Sequence, residues 1–286
     1  MSKQQMDGNG SRGVALPLIA TAVAALVFAA AALAAGGHHH KQKPIEPVKR
    51  SDKAATELAR KIVQGDPKTV VNAKFVTTPP GGVPVAIGHE RIGNFPRRGP
   101  GFAILSTGCA PIADNPNHST SSGCRDGGVK FRGARDTTIW RIRVRVPKHA
   151  NCLSFRFKFL SEEYPEWVES EYSDTFLAEM VHYPTWNANG PQSPTVTAPD
   201  DFAVTRDGKL ISINSTGVAR VSRAAAKGTT YDAATGLLRA STRVHPGVHL
   251  LYLTIFDQGD RQYDSAVFID RLLVRHAAKC RPGVVG

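Results

Sequence analysis

Cysteine, methionine and tryptophan are all scarce in this chain. Its 286 residues hold 4 Cys, 3 Met and 3 Trp. The cysteines stand at none of the spacings that a zinc finger or ribbon requires, which argues against a structural zinc site. No G-x-S-x-G elbow and no H-E-x-x-H helix occurs, so serine-nucleophile and zincin chemistry have no carrier. The histidines are scattered without ligand spacing. Acids are in deficit, 24 against 36 Lys and Arg, leaving a net charge of +12. A pI near 9.8 implies attraction to anionic surfaces such as cell-wall polymers or acidic lipid. No RNA-binding aromatic signature or finger motif accompanies the basic residues, so no nucleic-acid partner is expected.

Charge is missing altogether from Val14 to Ala35. A basic start, an apolar run and Ala32-Leu33-Ala34 as an A-x-A site fit a signal peptide over residues 1–35. The same run is long enough to span a bilayer as a single N-terminal membrane anchor. Both readings stay open, and both export the remainder, either secreted or tethered to the cell surface by that helix. Residues 14–35 are then the chain's only expected contact with a membrane. Residues 36–51, with His38 to His40 and a proline-containing charged stretch, read as a flexible linker. In SDKAATELARKIV, Ala55, Leu58, Ala59 and Ile62 fall at helical spacing, with Ser51 or Asp52 as N-cap and Gly65 as the stop.

After that helix no long helical pattern follows. Short runs recur between Gly, Pro, Asn and Asp: Thr69–Val76, Val83–Ile87, Gly101–Ser106, Thr138–Val146, Leu153–Leu160, Thr175–Val181, Phe202–Val204, Lys209–Ile213, Leu237–Val244, Leu250–Asp257 and Ser265–Val274. Such spacing predicts an all-β, antiparallel β-sandwich of jelly-roll-like kind over residues 52–286, with the one N-terminal helix in front. Leu153, Phe155, Phe157 and Phe159 alternate with Ser154, Arg156 and Lys158, the period of a half-buried strand. Trp140, Ile142, Val144 and Val146 alternate in the same way with Arg141, Arg143 and Arg145. That basic face reads as a solvated edge resisting edge-to-edge pairing, or as a polyanion-binding stripe.

The acids are few but concentrated. Six lie between Glu162 and Asp174, and Asp257, Asp260, Asp264 and Asp270 follow in a second segment, so two short windows hold ten of the 24. Turns remote in sequence can meet at one end of a two-sheet fold. A shared site for Ca²⁺ is therefore expected, with Glu162, Glu163, Asp257, Asp260 and Asp264 as its oxygen ligands. The alternative is that these carboxylates cap turns and pair with Arg156, Arg261 or Arg271. A paired-carboxylate glycoside hydrolase, with Glu162 or Glu163 opposite Asp257, is a further reading. The even number of cysteines in an exported chain implies two disulfides, with Cys109–Cys124 and Cys152–Cys280 the favoured pairing.

Three stretches carry a family resemblance: GFAILSTG (101–108), FRFKFLSEEYPEWVESEYSDTF (155–176) and LTIFDQGDRQYDSAVFID (253–270). Together with DGKLISIN and YDAATGLLRASTRVHPG in the expected order, they resemble the choice-of-anchor L domain of bacterial surface proteins, over about residues 54 to 275. The resemblance implies an extracytoplasmic β-rich domain without established enzymatic activity. It supplies no catalytic residues. Family anchors usually follow the domain, and no sorting motif or apolar helix does so here, so any tether falls to residues 14–35. The combined expectation is a non-catalytic secreted or surface module for binding or adhesion to a glycan or protein partner of the cell wall or extracellular space. A self-assembling surface-layer component is the remaining structural reading.

Overall fold

The computed structural model describes residues 44–95, 101–117, 131–189, 195–259 and 262–286. In chain order the strands are β1 (Ile45–Pro47), β2 (Val70–Thr77), β3 (Val85–Gly88), β4 (Phe102–Ser106), β5 (Arg135–Val146), β6 (Cys152–Ser161), β7 (Thr175–Glu179), β8 (Asn187–Ala188), β9 (Val196–Thr197), β10 (Ile211–Ser212), β11 (Ala233–Ala234), β12 (Leu238–Arg243), β13 (Gly247–Asp257), β14 (Ser265–Arg275) and β15 (Gly283–Val285). Helix α1 (Asp52–Lys61) precedes β2, and a four-residue helix α2 (Arg223–Ala226) precedes β11.

Two antiparallel sheets make the sandwich. The larger runs β1-β3-β4-β14-β6-β12-β15, with β11 also paired to β6, and the smaller runs β10-β7-β13-β5-β2. The inward positions of both enter one core, in which Leu153, Phe155 and Phe157 of β6 join Trp140, Ile142 and Val144 of β5 and Leu251, Leu253 and Ile255 of β13. The period-two patterns of β5 and β6 thus select the buried face as their spacing predicts, and each such aliphatic or aromatic side chain contributes about 1.5–3 kcal/mol. Ser51 caps α1, its hydroxyl accepting the N–H of Ala54 at 3.2 Å, and Ala55, Leu58 and Ala59 seat the helix on the core.

Four expectations need correction. First, Ile45–Pro47, inside the stretch expected as linker, pairs with Ala86–Gly88 at the edge of the large sheet. Second, β5 is no edge. It lies between β2 and β13, so its arginines rise from the interior of a sheet face. Third, Phe202–Val204 is not a strand: contact with β7 is limited to a single bridge at Asp201 and the Phe202 N–H on the Ala178 carbonyl, and the next N–H, of Ala203, goes to the Asp201 side chain instead of a ladder. Fourth, Lys158 is not on an open face. It lies buried beneath α2, where its ammonium donates to Asn94 Oδ1 and the Ala225 carbonyl. Burial lowers its pKa to about 8.

That last correction reflects covering segments on both outer faces. Tyr231, Ala226 and Phe95 cover part of the large sheet around Phe102 and Phe268. On the small sheet Trp186 stacks on Phe256 with ring centroids 4.6 Å apart, joined by Leu177 and Tyr252. Arginine-bearing patches remain open on each face.

Cys152, at the head of β6, is bonded to Cys280 across a separation of 128 residues, as the pairing expects. A closed loop of that length contributes about 2–5 kcal/mol. Cys109 is also disulfide-bonded, while Cys124 lies outside the described residues. So do residues 1–43, including the apolar run. Among the described residues no helix is long and apolar enough to cross a membrane.

One buried carboxyl, beside β7, makes the fold pH-sensitive. Asp201 Oδ1 accepts the N–H groups of Ala178 and Ala203, each at 2.8 Å, while Oδ2 is buried without a hydrogen-bond partner. Burial, aided by the charge of Glu179, raises its pKa from 3.8 to about 7. The folded state therefore holds this proton more tightly than the unfolded chain does. Its stabilising contribution is complete below about pH 4 and is lost as pH rises toward 7. Asp201→Asn should change urea stability little at pH 4 and raise it at pH 8; an equal change at both would show that this carboxyl does not titrate as described.

Candidate functional site

Strands β6 and β14 lie side by side, and their ends bring the two acidic segments together. Ser161 pairs with Ser265, and the N–H of Glu162 donates to the Asp264 carbonyl at 3.1 Å. On the facing sheet β7 pairs with β13, which sets Thr175 opposite Phe256 and places Asp174 beside Asp257. The register of two ladders therefore assembles Glu162, Glu163, Asp174, Asp257 and Asp264 at one rim. All five are buried. Asp260 lies outside the described residues.

Local hydrogen bonds hold the rim in shape. Ser161 Oγ accepts the N–H of Glu163, whose Oε2 in turn accepts the N–H of Asp174 at 3.0 Å. Thr107 Oγ1 donates to Asp264 Oδ1 at 3.4 Å and accepts the N–H of Ser265 at 2.9 Å. Gly108 follows, and a Cβ there would stand 1.8 Å from Asp264 Oδ2, so only glycine admits this carboxylate. The three sequence stretches of the resemblance thus meet at one place.

Asp174 is the centre of the cluster and is absent from the ligand set expected from sequence. It is fully buried, and neither carboxylate oxygen has a hydrogen-bond partner. Burial raises its pKa well above the carboxylate range, and the charges of Glu163, Asp257 and Asp264 push the same way. The nearby Ser265 hydroxyl opposes this shift without making a hydrogen bond of ordinary geometry. Tyr231 flanks the cluster. Its phenol is also raised, first by burial and then by Glu162 and Asp264. The place of Asp174 directly ahead of the expected strand Thr175–Val181 does not by itself separate it from the exposed acids before it.

The remaining acids of the first segment, Glu166, Glu169 and Glu171, are exposed. Between them Trp167 packs edge-on against Tyr172 at 4.9 Å and lies 5.9 Å from Tyr263, forming a half-buried aromatic cover. Gly259, at φ +109°, passes so close under Tyr172 that a Cβ would meet its ring at 2.4 Å. Hard oxygen donors are abundant here, the kind that calcium takes. Among the described residues, however, no three of these side chains converge closely enough to hold a metal ion as they stand. A cavity of about 660 Å³ nearby is bounded by Asp114, Asn117, Arg223 and Asp232, and by none of the five buried rim carboxylates.

With this geometry in place, the family comparison is decisive. The model of the choice-of-anchor L domain matches residues 47–272. The chain belongs to that family. The matched span contains the rim residues, the whole small sheet and most of the large one, leaving out β15 and the outer ends of β1 and β14. No curated protein matches the chain. Among solved structures it is similar to TmCBM27, a carbohydrate-binding module studied for specific mannan recognition. The two are 10% identical, with 82% of this chain and 99% of that chain covered at a TM-score of 0.34. That likeness bears on neither ligand nor site.

Two substitutions probe the rim. Asp174→Asn replaces a carboxyl that resists ionising with a neutral isostere. In chelator at pH 8 it should raise the melting temperature by roughly 2–6 °C, from about 1–2 kcal/mol of relieved burial and repulsion. The gain should shrink as pH falls and be small by pH 4, where the folded carboxyl is protonated and the unfolded one, near its ordinary value of 3.8, is about half protonated. Gly108→Ala should lower the melting temperature at both pH values, because the added methyl displaces Asp264 whatever its charge. Thermal scans at the two pH values separate the effects.

Proposed function

We propose that this choice-of-anchor L protein is a non-catalytic binding module of the extracytoplasmic space, secreted or held by residues 14–35, which engages a glycan or protein partner at its acidic rim and is stabilised there by Ca²⁺. The observation that carries this reading is the packing of the rim carboxylates around the orphaned Asp174 under an aromatic cover. A glycosidase needs two carboxyl groups facing each other across an open groove wide enough for the sugar. Here Glu162, Glu163 and Asp257 are buried together, which supports a structural or cation-holding role over general acid–base work. The disulfides support an oxidising compartment.

Calcium would draw on Asp174, Glu163, Asp257 and Asp264, with Glu162 and Asp260 completing the expected set. Binding requires their oxygens to close in from the positions described, and the cation would replace the mutual repulsion with attraction. Half-exposed Trp167, Tyr172 and Tyr263 then offer apolar faces on which the C–H surface of a sugar or an apolar peptide side chain could rest.

Calcium titration of chelator-treated protein checks the ion. Added Ca²⁺ should release heat and raise the melting temperature by several degrees, since a ligand at 100 times its Kd adds about 2.7 kcal/mol. Asp174→Asn should remove most of both responses. Absence of heat and of any melting shift in the wild type would eliminate the calcium part of the reading.

A further inference from the structure

The acidic rim leaves the chain's positive charge unexplained, and the outer face of the large sheet concentrates part of it. Where no segment covers that face, Arg156 of β6, Arg239 of β12, and Arg271 and Arg275 of β14 surround a cavity of about 200 Å³, with Ser154 and Gln64. The register explains their convergence. Arg239 lies directly opposite Arg156, Asp270 opposite Arg156 on its other side, and Arg275 opposite Cys152. Asp270 is the carboxylate set among them. Its Oδ1 accepts the Arg271 backbone N–H at 2.7 Å, and one carboxylate stands beside four guanidinium groups.

Arg271 is placed there by a distortion. The β14–β6 register slips between Asp270 and Leu273, a bulge that inserts Arg271 with φ +58°. The bulge is held from outside the sheet: the Leu272 N–H donates to the Ile62 carbonyl, and the Gln64 N–H donates to the Leu272 carbonyl. Gln64 Oε1 then accepts from Arg271 Nε at 3.0 Å, fixing the guanidinium plane. An arginine in the left-handed region is strained, and bulges re-aim side chains at functional positions. The residues just after α1 thus both form the bulge and orient the side chain it projects.

The structure assigns a ligand class to this groove, and we propose that it binds an anionic glycan polymer whose repeating unit carries a carboxylate or a phosphodiester. The arginines stand on three adjacent strands, spanning about 10 Å across the sheet. That distance suits two charged groups on neighbouring units of a polymer better than a single small ion. Guanidinium groups also present paired donors matched to both anions, which ammonium groups do not. The groove adds to the binding-module reading and is independent of calcium at the rim.

The test measures binding of the full chain to polygalacturonate and to poly(glycerol phosphate), with neutral mannan alongside. We expect binding to at least one anionic polymer, weakened by salt; whichever polymer binds names the charged group. Arg239→Gln with Arg275→Gln should weaken it by about tenfold or more. Arg143→Gln with Arg145→Gln removes equal charge from the other sheet and should change it less than about threefold. Arg271→Gly should also weaken binding while leaving the melting temperature equal or higher, because glycine accepts that backbone without strain. Equal losses from both double substitutions would overturn the proposal, as would no binding to either anionic polymer, or a falling melting temperature with unchanged binding for Arg271→Gly. Binding to mannan alone would overturn the groove and leave the binding module standing.

Discussion

Burying like charges side by side is unfavourable, and the rim of this sandwich is organised by that constraint. Asp174 lies without a hydrogen-bond partner among Glu163, Asp257 and Asp264, all removed from water. A group in that position is either protonated or matched by a cation, because an isolated buried carboxylate is too costly to persist. The surrounding architecture enforces the choice. Two ladders fix where the four backbones sit, Thr107 and Ser161 hold the neighbouring acids and backbone N–H groups, and Gly108 leaves space for Asp264. The rim therefore couples fold stability to the protonation of Asp174.

The two sheets solve a related problem differently. Their inner faces share one apolar core, while each outer face is covered over only part of its length. The covering segments bury Lys158 on one sheet and Trp186 on the other. What they leave open is rich in arginine: Arg156, Arg239, Arg271 and Arg275 on the large sheet, Arg141, Arg143 and Arg145 on the small. Five buried acids are thus gathered at one rim, while arginines are spread over the open faces. A net charge of +12 understates this separation.

Much of the sandwich was legible because alternation is a strong signal wherever one face is buried. Phe155 and Phe157 against Ser154 and Arg156 define β6 and its inner face without further information. The meeting of the two acidic segments was legible from charge density alone. What could not be read is whatever depends on a partner remote in sequence. Lys158 shows the same alternation as Arg156, and only the arrival of α2 and Asn94 separates a buried ammonium from an open one. Asp174 resembles the exposed Glu169 and Glu171 in composition; its burial follows from pairing of β7 with β13. β5 reads as a basic edge until β2 is known to lie beside it. Strands of two or three residues, such as β1, β11 and β15, are too short for any period to show.

Strand β1 also determines how the fold meets mechanical load. Tension applied to the chain ahead of residue 44 reaches the sandwich first through three residues paired with β3 at the edge of the large sheet. An edge strand so short can peel away and let α1 follow while the central strands keep their ladders. Extension would then be confined to the chain ahead of Cys152, because the Cys152–Cys280 bond, across a separation of 128 residues, keeps the segment between them from paying out. A pulled molecule would lengthen by yielding at its margin, with the rim and the arginine groove residues of β6, β12 and β14 held within the locked loop.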